Sequence, residues 1–190
     1  MNVRTFAALL LTLFFVVSPI SALAQVDPPP RTADREAPER DAVVRPLNAD
    51  ATLVEVVLAP DADTYIASDR PTQNFGGGGL FVGFNNTGDQ FGAERSFLRF
   101  DVDAYVPDGA IITDADLRLY LAFASPTDDD PMPTRLWGVI KPWDEYDLTW
   151  NIWTSPPSGR GESYDVQMIG TTPETAWEWD ITELVQAWVD

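Results

Sequence analysis

The stretch A-D-L-R-L-Y-L-A-F, Ala115 to Phe123, decides the fold. Ala115, Leu117, Leu119, Leu121 and Phe123 fall on one side of a two-residue period, and Asp116, Arg118 and Tyr120 on the other. Such alternation describes a strand packed on one face and wet on the other. Outward from it, Leu98, Phe100 and Val102 alternate with Arg99 and Asp101, and Leu80, Val82 and Phe84 with Phe81 and Gly83. Leu53 to Leu58, Asp63 to Ile66, Leu136 to Ile140, Tyr164 to Ile169 and Trp177 to Ile181 read as further short strands. Turn residues separate them, notably Pro107-Asp108-Gly109 and Pro71 to Gly79 with its four consecutive glycines. Eight or nine strands spaced about ten residues apart predict an all-β fold, an antiparallel β-sandwich of jelly-roll type. A short C-terminal helical turn follows, with Thr182 as its expected cap and Leu184, Val185 and Trp188 on one face.

The stretch W-D-E-Y-D-L-T-W-N, Trp143 to Asn151, carries the chemistry. It is too aromatic for a disordered loop and too acidic for a buried strand. It reads as a loop running into a strand, with Leu148 and Trp150 turned inward. Trp143, Tyr146 and the nearby Trp153 are the candidate ligand surface, because indole and phenol rings stack on sugar C–H faces. Trp137, Trp150, Trp177, Trp179 and Trp188 lie in strand-like or helical surroundings and are expected in the core.

The N-terminus has a different character. Arg4, the apolar run Phe6 to Val17 and Ala22-Leu23-Ala24 have the layout of a secretory signal peptide over residues 1–24, too short to span a bilayer. Residues 25–51, with Pro28-Pro29-Pro30 and mixed charges, form an expected disordered linker. The β-rich domain occupies 52–190. A secreted protein with no membrane segment after cleavage is implied.

Several function classes are excluded by composition. The chain has no histidine and no cysteine, which removes the usual general base, the Ser-His-Asp triad and disulfides. Its formal charge of -18 opposes nucleic acid and anionic membranes. Asp144 with Glu145 or Asp147 is the one local carboxylate pair suited to glycoside cleavage, and nothing beside it raises a pKa, so no catalytic residue is assigned. The cations from residue 52 onward are Arg70, Arg95, Arg99, Arg118, Arg135, Lys141 and Arg160. Arg70 and Lys141 are the candidates for sugar contact, while Arg95, Arg99 and Arg118 lie on strands where they can pair across to acids. The abundance of carboxylates makes calcium the expected structural ion, held by Asp61, Asp63 and Asp180 if the first and last segments meet; Asp128-Asp129-Asp130 is a rival cluster.

Five motifs occur in the order A-D-T-Y-I-A-S-D-R-P-T-Q-N-F-G, E-R-S-F-L-R-F-D-V, I-T-D-A-D-L-R-L-Y-L, W-D-E-Y-D-L-T-W-N and A-W-E-W-D-I-T-E-L-V-Q-A-W-V. Together they resemble the DNRLRE domain, which overlaps carbohydrate-binding module family 96 and the disaggregatase-related repeats. The resemblance covers Asp61 to Val189. It implies a secreted, non-catalytic β-sandwich module that binds polysaccharide or a cell-surface glycan beside other domains. A structural or adhesive module without sugar binding is the alternative. The family continues past the last tryptophan with closing strands, so a C-terminally truncated sequence, with further domains beyond Asp190, is expected.

Overall fold

A computed structural model describes residues 4–18, 42–49, 53–85, 91–125 and 131–190. The fold is all-β, with ten strands in two antiparallel sheets and two short helices among these residues. The strands are β1 (Arg4–Ser18), β2 (Val43–Pro46), β3 (Val54–Leu58), β4 (Ala62–Ala67), β5 (Leu80–Asn85), β6 (Gly92–Arg99), β7 (Ile111–Ser125), β8 (Met132–Val139), β9 (Arg160–Ile169) and β10 (Thr175–Asp180). The helices are α1 (Trp150–Thr154) and α2 (Thr182–Val189).

The large sheet runs β10-β7-β1-β5-β6-β4, with β3 also on β1 and β2 on β3. The small sheet is β8-β9. The main core lies between them. Val56, Leu58, Ala115, Leu117, Leu121 and Trp179 of the large sheet meet Ile169 of the small sheet and the α2 residues Val185 and Val189. The Trp179 indole ties the layers together by donating to the Thr134 carbonyl at 3.0 Å.

β7 keeps the expected alternation through Leu121, which is buried with Ala115 and Leu117. There the phase changes. The register with β1 slips between Leu121 and Phe123, which leaves Phe123 exposed and buries Ala124 instead. An extra residue on one strand reverses the facing of everything after it.

α2 begins differently from expectation. Thr182 does not cap the helix. Its hydroxyl accepts from the Ala115 amide at 3.0 Å, fastening the helix start to β7. The Thr182 amide instead donates to the Asp180 carboxylate at 2.9 Å.

The expected leader and linker are only partly described. Arg4–Ser18 forms β1, a strand between β7 and the pair β3 and β5. Val43–Pro46 of the expected linker pairs with β3. Residues 19–41 lie outside the described residues, as do Asp128, Asp129 and Asp130.

Candidate functional site

The segment from Trp143 to Thr154 is a loop followed by a helical turn rather than a strand. Thr149 is the reason. Its backbone is extended, and its hydroxyl accepts from the Ile152 amide at 3.3 Å, which starts α1. Leu148 is buried as expected, and with Ile66, Phe97 and Trp153 it forms a second, smaller core against which Trp143 and Trp150 pack. Phe97 meets Trp153 and Trp143 edge-on at 4.7 and 5.9 Å between centroids.

Asn74 pins this loop from a distance in sequence. Its amide nitrogen donates to the carbonyls of Glu145 and Leu148 at 2.9 and 2.8 Å, and its oxygen accepts from the Gly76 amide at 3.0 Å. The glycine run is therefore partly a packing requirement. A Cβ on Gly76 would collide with the Glu145 carbonyl. Neither role has a short-range signal in sequence.

Beside the loop, a cleft of about 1140 Å³ opens between β6 and β8. Its floor is apolar, made by Val82, Leu98, Leu117, Leu119, Leu136 and Trp179, and its walls carry Arg95, Arg99, Arg135, Lys141, Arg160, Trp137, Trp143 and Trp188. Five of the seven cations from residue 52 onward thus line one cleft, against the three carboxylates Glu94, Asp101 and Asp103. In a chain of charge -18 that is a local reversal of sign.

Three arginines in the cleft walls lie near tryptophan rings. Arg95 is 4.8 Å from the Trp150 centroid, Arg99 is 5.7 Å from Trp143 and Arg160 is 4.2 Å from Trp137. These distances are those of cation–π contacts. Arg99 is also held by Asp61, with Nε and Nη2 at 2.8 and 2.7 Å from one carboxylate oxygen. That hydrogen bond, opposed by partial burial and reinforced by the charges of Asp61, Asp144 and Glu145, raises its pKa. Arg95 moves the other way. Partial burial, and then the neighbouring charge of Arg160, lower its pKa. Arg95 and Arg160 are thus close enough to repel, a pair an anion would relieve.

The sequence-derived candidates are dispersed. Trp143 lines the cleft and is half-buried. Trp153 is buried at 8 % exposure and belongs to the small core, from which it also lines the cleft. Lys141 reaches the cleft wall, but its ammonium donates to the Ile152 and Ser155 carbonyls at 2.7 and 3.1 Å and to the Ser155 hydroxyl at 3.2 Å, closing the end of α1. Tyr146 is exposed and lies over Gly76 and Gly77, outside the cleft. Arg70 is also outside it, 5.4 Å from the Phe91 centroid, at the end of a run of rings through Phe75, Tyr65, Phe81 and Phe123. Within that run the Tyr65 phenol is pushed up to about 12, by burial and then by Glu94. Trp137 and Trp188, expected in the core, are exposed.

The three carboxylates expected to share calcium do not converge. Asp61 and Asp63 sit on and beside β4, at one end of the large sheet, and Asp180 ends β10 at the other. Asp61 is engaged by Arg99, and Asp180 by the Thr182 amide. Among the described residues no group of three or more acids could hold a metal ion.

A basic, tryptophan-walled cleft on a two-sheet β scaffold is a form suited to sugar. The sequence profile of carbohydrate-binding module family 96 matches residues 54–190. The chain belongs to that family. No curated protein and no solved structure matches the module. The matched span starts at β3 and includes every residue of the cleft.

Proposed function

We propose that the module is a non-catalytic binder of acidic polysaccharide, exported by its N-terminal segment 1–24 and held in place through the cleft between β6 and β8. The gathering of Arg95, Arg99, Arg135 and Arg160 around that cleft carries the reading. Guanidinium groups bind carboxylate or sulfate with paired, charge-assisted hydrogen bonds. Trp137, Trp143 and Trp188 add ring surface for the sugar C–H faces. Of the acids of the Trp143 loop, Asp144 accepts from the Tyr146 amide at 2.9 Å, and the charges of Asp144 and Glu145 bear on Arg99. Signal-peptide layout supports export: one positive charge, an apolar run and a small-x-small site.

Affinity electrophoresis of the full chain tests the reading, in gels cast with neutral, carboxylated or sulfated polysaccharide. Retardation by the acidic gels, greatest at intermediate salt and weakening at high salt, is the expected result. Equal mobility in every gel, from protein shown to be folded, would replace it with a structural or adhesive module.

A further inference from the structure

The cations of the cleft are not equivalent. All three nitrogens of the Arg99 guanidinium are engaged. Nε and Nη2 meet Asp61, and Nη1 donates to the Trp143 carbonyl at 3.5 Å. Its charge is offset by Asp61 and by the nearby Asp144 and Glu145. Lys141 is occupied at the end of α1. Arg135 is exposed, and among the described residues neither a ring nor a carboxylate fixes it. Ordering it on a ligand therefore costs side-chain entropy.

Arg95 and Arg160 differ from these three. Each is exposed and set over an indole, Arg95 over Trp150 and Arg160 over Trp137. Among the described residues neither guanidinium meets a carboxylate or donates a hydrogen bond. A ring attracts the charge but offers the five N–H donors no oxygen. Both groups are thus fixed in place with their donors still available.

Helix α1 brings the two together. Trp150, under Arg95, is its first residue. Trp153, one turn on, packs against Gly159, the residue before Arg160, so closely that a Cβ there would strike the ring. Phe97, two residues along β6 from Arg95, meets the same ring edge-on. The two cations are consequently neighbours, and the charge of Arg160 is felt at Arg95. An anion between them removes their repulsion and receives both sets of donors.

We propose that Arg95 and Arg160 together form the anion subsite of the cleft, a seat for one carboxylate or sulfate group of the polysaccharide, and that Arg99 is a positioning residue that ties the Trp143 loop to Asp61. This rests on the reading of the cleft as a binder of acidic polysaccharide. The seat needs a charged group with at least two oxygens projecting from the sugar ring. A uronate carboxylate and a sulfate half-ester both supply one, whereas a hydroxyl leaves the repulsion in place.

Affinity electrophoresis of the full chain near physiological salt tests the assignment, in gels of dextran, carboxymethyl dextran and dextran sulfate. The backbone is constant and only the charged group changes, so the gel that retards the wild type names that group. In that gel Arg95→Gln and Arg160→Gln are each expected to lose retardation about tenfold or more. Arg99→Gln is expected to lose under about threefold while melting at a lower temperature. Retained wild type with Arg95→Gln or Arg160→Gln unaffected, or with Arg99→Gln equally affected at unchanged melting, overturns the subsite and leaves the cleft as a binder. Wild type that runs alike in all three gels overturns both. A titration of 15N-labelled wild type with short oligosaccharides of the retarding polymer keeps the test sound if a variant fails to fold. The arginine Nε–H signals, assigned by single Arg→Lys substitutions, give the readout. Those of Arg95 and Arg160 are expected to shift with one midpoint while that of Arg99 stays. A shift at Arg99 alone, or separate midpoints for Arg95 and Arg160, overturns the proposal.

Discussion

The Arg160 guanidinium carbon lies 4.2 Å from the centroid of the Trp137 ring. Both belong to the β8–β9 ladder, where Arg160 is opposite Val139 and Trp137 opposite Ser163. An exposed tryptophan therefore presents a cation on its face, and among the described residues the charge is held over the cleft by the ring rather than by a carboxylate. Arg160→Ala is expected to weaken retardation by acidic polysaccharide about tenfold or more, since a hydrogen bond to a charged group contributes about 1.5–3 kcal/mol. The same variant is expected to leave thermal unfolding nearly unchanged. Affinity electrophoresis and a melting curve on one preparation check both halves.

Asn74 is the opposite case, a residue that touches no cleft wall yet fixes the loop that forms one. Asn74→Ala removes two donors from the Glu145 and Leu148 carbonyls. At about 1 kcal/mol for each bond, the expected loss is about 2 kcal/mol. Denaturant unfolding measures it, and Asn74→Asp should recover little, because a carboxylate cannot donate.

Trp153 and Tyr146 separate packing from surface within one segment. Trp153→Ala opens the small core and is expected to cost about 3–5 kcal/mol. Tyr146→Ala, at an exposed ring, is expected to cost under about 1 kcal/mol. Urea melts of the two variants give the comparison directly.

Asp116 supplies a pH dependence. Burial raises its pKa first, then repulsion from Asp114, Glu178, Asp180 and Asp165. The folded state therefore binds this proton more tightly than the unfolded chain, whose aspartate titrates near the ordinary 3.8. Stability falls as pH rises from that value through the raised one, and the deficit is complete at neutral pH. Asp116→Asn is expected to melt about 1–3 °C above wild type at pH 7. The difference should vanish near about pH 3, where both states are protonated.

Much of the fold was legible because it rests on period-two patterns. All eight strands from β3 to β10 were expected, those of β5, β6, β7 and β10 from alternation visible along the chain, and Leu148 was recognisable as an inward residue. Local pattern fails where a distant partner decides. Trp153 sits beside prolines and glycines and reads as surface, but Phe97 from β6 encloses it. Trp137 lies in a clean strand and reads as core, although its side of β8 faces outward. Lys141 looks like a ligand contact until the end of α1 is seen to need its three donors. The basic cleft itself is assembled from β6, β8, β9 and the loop between β8 and α1, which only the fold brings together.

A positive cleft on a strongly negative molecule also shapes how capture proceeds over distance. At low ionic strength the whole surface repels an acidic polymer before the cleft can reach it. Near physiological salt that repulsion fades beyond about 8 Å, while contacts at the arginines persist. Still higher salt weakens those contacts too. Retention therefore passes through a maximum at intermediate ionic strength, a profile opposite to the steady decline of a uniformly basic protein on the same polymer.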